Sequence, residues 1–155
     1  MNSNQKQTFQ FTKEGYENLQ NELGKLTARR PQVVINLTNA REQGDLSENA
    51  GYHAAKEELG KIDSRIKELK YLLRLGEVVK SQGSTSVTFG NTVTLNNGEK
   101  DLTFTIVEQL EANPASGKIS TDSPIGKSVL GKHLGDVVEV STPTGIIKLK
   151  VVKIA

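Results

Sequence analysis

The 155-residue chain has no cysteine and no tryptophan, one methionine and only two histidines, His53 and His133. Without cysteine there is no disulfide, no thiolate nucleophile and no thiolate ligand. Two histidines do not assemble a zinc site of the usual kind, so any metal would be held by oxygen. Aromatic residues make up 5% of the chain and hydrophobic residues 35%, too few for a thick core or a ligand cavity walled by rings. No apolar run approaches the roughly 18 residues of a membrane span, and the opening MNSNQKQTFQ lacks the apolar stretch of a secretory leader. These absences predict a cytoplasmic protein with no membrane attachment. Charge of one sign is also lacking: 20 Lys and Arg against 18 Asp and Glu leave +2, too even for a protein that wraps nucleic acid by charge alone. No phosphate-cradling glycine loop and no nucleophile–base pair can be read in the sequence.

What is present is unevenly distributed. Residues 1–80 carry 13 of the 20 basic and 11 of the 18 acidic side chains and are rich in Glu, Lys, Leu and Ala; beyond them Val, Thr, Ile and Gly take over. The stretch SQGSTS at 81–86 reads as a linker, placing a boundary at 78–86 between a domain at 1–80 and a second at 81–155. In the first domain Tyr16, Leu19, Leu23, Leu26, Arg30, Val33, Leu37 and Ala40 recur at alternating spacings of three and four. The spacing restarts at Tyr52 and runs through Ala55, Leu59, Ile62, Ile66, Leu69 and Leu73. Two long helices with apolar stripes are predicted, joined by the polar, non-periodic EQGDLSENAG at 42–51, which turns the chain into an antiparallel coiled-coil hairpin. At ~1.5 Å per residue the arms make a rod of roughly 45 Å. Pro31 lies inside the first helix and predicts a kink there. Arg30, the one charged seam position, marks a local opening of the coil.

The second domain changes period. Strands are predicted at 86–95, 101–108, 136–141 and 146–154, with turns at Asn96-Asn97-Gly98 and at Thr142-Pro143-Thr144-Gly145. Ser123-Pro124 reads as an N-cap followed by proline at the first helical position, and Gly131 as the stop of a single short helix covering a small antiparallel sheet. The fold class is therefore α+β.

The acidic tip is the chemistry-bearing feature. Glu42, Asp45 and Glu48 put three carboxylates in seven residues without a basic side chain among them. Carboxylates at that density suit Mg2+, which needs only one or two protein ligands when water or a partner supplies the rest. The same residues fit a capping box, with Asp45 as N-cap of the second helix and Glu48 at its third position, and the two roles are compatible. Tyr52 reads as packing on the seam, close enough to the tip to orient it. His53 and His133 read as surface or tip-supporting residues rather than metal ligands, and Arg29 as a solvated helix charge.

The string AREQGDLSENAGYHAAKEE (40–58), preceded by ARRP (28–31) and followed by STDSPIGKSVLGK (120–132), GDVVEV (135–140) and TPTG (142–145), resembles the GreA/GreB family of bacterial transcript cleavage factors from about Phe9 onward. The resemblance implies an N-terminal coiled coil that enters the secondary channel of RNA polymerase and an FKBP-like C-terminal domain that docks at the channel rim. It implies that Asp45 and Glu48 are the functional pair, holding a Mg2+ jointly with the polymerase so that the enzyme hydrolyses its own backtracked RNA. Arg41 and Lys56 would face the nascent RNA 3′ end, and Asp122, Ser123 and Pro124 would form the docking motif. The protein would be a monomeric accessory factor rather than an enzyme. One departure is visible: the family usually has Asn-Ala-Glu-Tyr where this chain has Asn49-Ala50-Gly51-Tyr52.

Two other readings compete. A channel binder that blocks without stimulating cleavage is suggested by Gly51 alone. A prolyl isomerase of FKBP type would need aromatic pocket walls, and residues 81–155 offer only Phe89 and Phe104.

Overall fold

The computed structural model describes residues 7–80 and 83–155. Ser81 and Gln82, the start of the expected linker, lie outside the described residues, as do the first six. The chain divides into two compact units, one containing Tyr16–Gly76 and the other Thr8–Gly15 with Glu77–Ala155.

The first unit is made by two long helices, α1 (Lys13–Arg41) and α2 (Ala50–Leu75). Their seams behave as the spacing predicts. Val33 and Ala40 of α1 and Ala55, Ile62 and Leu69 of α2 are buried, and the remaining seam positions are half-buried except Arg30. Leu72 is buried where the seam places Leu73, which is half-buried, because a straight helix drifts from a strict seven-residue repeat. Helix α1 continues through Pro31, and Val33 two residues later is fully buried, so packing outweighs the one lost backbone bond. Arg30 turns its guanidinium to solvent and forks onto Asp63, with Nε–Oδ1 at 2.6 Å and Nη2–Oδ2 at 3.2 Å.

Ion pairs flank the seam on the surface and all agree with one antiparallel register. Arg29 meets Glu58 at 2.9 Å, Arg65 meets Glu22 at 2.6 Å, and the Tyr16 hydroxyl donates to the Leu73 carbonyl at 3.1 Å. The Arg65 hydrogen bond holds the Glu22 carboxyl below its ordinary range, and Arg30 does the same for Asp63. Exposed pairs of this kind add little stability each. Their contribution here is to penalise a slipped register, which would set like charges together.

The second unit contains β1 (Phe9–Phe11) and most of β2 (Gly76–Val78), which pair with each other, and a five-stranded sheet. The sheet strands are β3 (Thr92–Asn96), β4 (Asp101–Val107), β5 (Lys118–Ser120), β6 (Val137–Thr142) and β7 (Gly145–Ile154), in the order β5-β4-β3-β7-β6. The expected strand at 86–95 begins only at Thr92. The buried Asn91 side chain accepts the Thr88 N–H and hydroxyl at 2.7 and 2.8 Å, and Gly90 has φ 83°, so a side-chain-bonded turn replaces the ladder there. The sheet is mixed rather than wholly antiparallel, since β5 runs parallel to β4. Strands β1, β2 and β5, each three residues long, are too short to carry an alternation signal. The turn at 96–98 forms as expected: Asn97 Oδ1 accepts the N–H groups of Glu99 and Lys100, and Gly98 has φ 94°.

The short helix α3 (Pro124–Val129) covers the sheet, burying Val129 with Leu95, Ile106, Val140 and Leu149. It sits so close to β5 that a Cβ added at Gly126 would lie 2.0 Å from the Ser120 carbonyl oxygen. Alanine normally stabilises a helix by about 1 kcal/mol over glycine. Here Gly126→Ala is expected to destabilise by about 1–3 kcal/mol, because backbone must move; a thermal melt of the variant at unchanged or raised Tm would contradict this packing.

Candidate functional site

The tip of the hairpin is built by the ends of two helices. Helix α1 closes with the Glu42 N–H donating to the Thr38 carbonyl and the Gln43 N–H to the Ala40 carbonyl, each at 3.2 Å. Residues 42–48 then run exposed to solvent, with Gly44 at φ 121° supplying a backbone conformation open to glycine. Helix α2 opens at Ala50 with Asn49 as its N-cap, whose Oδ1 accepts the Tyr52 N–H at 3.0 Å.

This arrangement corrects the capping-box expectation. Asp45 and Glu48 do not cap α2, because the helix begins later and Asn49 takes the cap. Asp45 instead closes a turn of its own: Oδ1 accepts the Ser47 N–H at 2.9 Å and the Ser47 hydroxyl at 2.8 Å. The backbone bond from Ser47, then its hydroxyl, hold the Asp45 carboxyl below its ordinary range, so it is ionised at neutral pH. Its Oδ2 accepts nothing among the described residues. Glu48 is exposed and makes no side-chain hydrogen bond or ion pair to any described residue.

Such carboxylates suit a hard cation in their chemistry but not in their number. Among the described residues no three His, Cys, Asp or Glu side chains converge as a metal cluster. Asp45 and Glu48 could contribute two ligands and would need the remainder from water or another molecule.

Arg41 and Lys56 meet at one ring. The Arg41 guanidinium lies 6.0 Å and the Lys56 ammonium 5.9 Å from the centroid of Tyr52, at the outer limit of cation–π attraction. His53 stacks edge-on against the same ring at 5.4 Å. Tyr52 is thus more than seam packing: it gathers both cations beside the acidic loop. Asn49 carries a structural role that spacing did not assign; its signal was its place as the last polar residue before helical periodicity resumes. Gly51 has room for a side chain, since an added Cβ meets only Asn49 Oδ1 at 3.4 Å and the Ala40 methyl at 4.0 Å. The missing carboxylate is a change of charge, not of packing.

In the second unit the Ser123-Pro124 reading holds. Ser123 caps α3, its Oγ accepting the Gly126 N–H at 3.0 Å and donating to the Ser120 carbonyl at 2.7 Å. The Asp122 N–H donates to Ser120 Oγ at 3.0 Å, leaving the Asp122 carboxylate exposed, with Pro124 exposed beside it. A groove of 620 Å3 elsewhere in this unit is lined by Thr12, Val78, Val107, Lys118 and others, none aromatic, and so lacks the walls an isomerase pocket needs.

The first unit is thus a helical hairpin with an acidic, solvent-facing tip, and the second, following it in sequence, is a small sheet domain. Residues 9–78 match the family model described as Transcription elongation factor, N-terminal, and residues 82–155 match the model described as Transcription elongation factor, GreA/GreB, C-term. The chain belongs to the GreA/GreB family of transcription elongation factors. It is 44% identical over 153 residues to Transcription elongation factor GreA of Bacillus cereus, covering 95% of this chain and 96% of the relative. The GreA of Bacillus licheniformis is also 44% identical, over 157 residues, covering 97% and 99%. Among solved structures, the GreA factor homolog 1 protein of Thermus thermophilus aligns over 96% of this chain and 99% of its own at 31% identity and TM-score 0.46.

Because Asp45 is exposed and asparagine can accept the same two bonds from Ser47, Asp45→Asn is expected to shift stability by no more than about 0.5 kcal/mol. Thermal unfolding followed by circular dichroism checks this, and a large loss would mean the carboxylate is structural.

Proposed function

We propose that this chain inserts its helical hairpin into the secondary channel of bacterial RNA polymerase and stimulates endonucleolytic cleavage of nascent RNA in backtracked complexes. It acts in the cytoplasm as a monomeric accessory factor to the polymerase's own hydrolysis. The observation that carries this reading is the pairing, at one tip, of two exposed carboxylates that have no basic partner among the described residues with two cations gathered on Tyr52.

Asp45 and Glu48 would hold a Mg2+ together with the polymerase. When bound, that ion stabilises charge on the attacking and leaving oxygens of an in-line displacement at phosphorus. The residues of this chain supply position. Asp45 is fixed by Ser47 through one oxygen and presents the other. It is ionised at neutral pH and has no basic partner among the described residues, so no ion pair must break when it takes up a cation. Arg41 and Lys56 draw the phosphate backbone of the RNA 3′ end toward the carboxylates. Two ligands are too few to retain Mg2+ in the free protein, which confines the chemistry to the polymerase complex. Asp122, Ser123 and Pro124 dock the second unit at the channel rim, with the Ser123 cap holding the exposed Asp122 at the start of α3.

The test is to add the protein to a stalled, backtracked polymerase with Mg2+ and look for shortened RNA. Binding without shortening would identify a channel blocker. Asp45→Asn and Glu48→Gln are each expected to slow cleavage on the order of 100-fold while leaving polymerase affinity intact, with partial rescue by raised Mg2+. Full cleavage by Asp45→Asn would remove the carboxylate from the mechanism. Asp122→Ala is expected to weaken polymerase binding, more at physiological salt than at low salt, with the fold unchanged; equal binding at both salts would remove Asp122 from the docking surface.

A further inference from the structure

Loop 42–48 carries both carboxylates, yet nothing within it explains why they should stand in a fixed place. Its internal bonds are local. Glu42 and Gln43 bond back into α1, and Ser47 bonds to Asp45 two residues away. A seven-residue exposed loop tied only in this way would sample many conformations, each moving the carboxylates relative to both helices.

One side chain spans the loop's mouth. Asn49 Nδ2 donates to the Ala40 carbonyl at 2.7 Å, across nine positions of sequence, while Oδ1 of the same amide accepts the Tyr52 N–H at 3.0 Å. Its own carbonyl accepts the His53 N–H at 3.1 Å. The Ala40 carbonyl also receives the Gln43 N–H, so both of its lone pairs are used. Asn49 therefore gives a carbonyl in the last turn of α1 its second, shorter bond and satisfies an orphan N–H at the start of α2 at once. Among the described residues its Nδ2 bond is the one hydrogen bond that crosses from α1 or the loop to the start of α2. The amide is half-buried, which shields these bonds from water.

We infer that Asn49 is a positioning residue for the tip. By clamping Ala40 to Tyr52 it fixes the two ends of the carboxylate loop, and it sets the Arg41–Tyr52–Lys56 cluster against that loop. This inference rests on the cleavage reading above, in which Asp45 and Glu48 act at the reacting centre. Misplacing groups there by about 1 Å costs up to about 100-fold in rate.

Capping and clamping separate by substitution. Serine caps helices about as well as asparagine and is neutral, but it is too short to reach Ala40. With Asn49→Ser, thermal unfolding should stay near wild type and half-saturation for polymerase should change less than about twofold. The cleavage rate at saturating factor should fall roughly 10- to 100-fold. Asn49→Asp, which keeps the acceptor and loses the donor, should fall similarly. Amide hydrogen exchange on the free protein provides a readout independent of polymerase: Gln43 and Ser47 should exchange faster in Asn49→Ser while Tyr52 stays protected. Wild-type cleavage by Asn49→Ser overturns the inference whatever the exchange data give, and so does unaltered exchange at Gln43 and Ser47. If the unmodified protein stimulates no cleavage, the functional reading fails, and exchange alone then decides whether the clamp exists.

Discussion

Val33, Ala40, Ala55, Ile62 and Leu69 leave water along one stripe of each long helix, and burying apolar surface at roughly 25 cal/mol per Å2 is what offsets the entropy of ordering the two arms. Every feature of the tip depends on that seam. The seam is narrow and would tolerate a shift by a heptad; Arg29–Glu58, Arg30–Asp63 and Arg65–Glu22 select one register by making the others repulsive. Once the register is set, Ala40 and Tyr52 end up opposite each other, and one asparagine can bridge them. A charged residue inside the seam then contributes alignment: Arg30 gives up burial and gains a forked partner on the other helix.

The long periodic elements were legible in the sequence because many weak preferences pointed the same way over about four heptads in one arm and three in the other. The hairpin, its turn and the single short helix after Ser123 follow from periodicity, capping chemistry and the Pro124 position. The failures lie where one side chain outweighs the local pattern. Residues 86–91 read as strand by composition, yet Asn91 draws Thr88 into a turn. Asp45-Leu46-Ser47-Glu48 has capping-box spacing, yet the cap of α2 falls four residues past Asp45, on Asn49. Spacing identifies which residues could cap; it does not say which of several adjacent candidates the chain will use. The acidic residues of the tip were visible as a charge cluster, whereas the gathering of Arg41 and Lys56 on Tyr52 needs two helices in register and has no local signature.

The second unit reaches rigidity by a different route. Its core is built from aliphatic side chains such as Leu95, Ile106, Val140 and Leu149, and the polar groups around it are bonded. The buried Asn91 ties the Thr88 turn to the C-terminal carbonyl of Ala155, and Ser120 and Ser123 fasten α3 to β5 where Gly126 allows contact of backbone with backbone. No buried side-chain nitrogen or oxygen among the described residues lacks a partner. A domain with few aromatics gains specificity this way, since each such bond has geometry that a slid or rotated alternative would leave unmet.

The closure of the hairpin at Ala40 and Asn49 has an evolutionary corollary. The helices are finished, capped and bonded to one another before the loop is reached, so residues 42–48 carry almost none of the folding free energy of the unit. They form an interchangeable cassette. The number and placement of acidic groups within it can change and the arms that deliver the tip will still fold, leaving activity free to diverge while architecture stays constant.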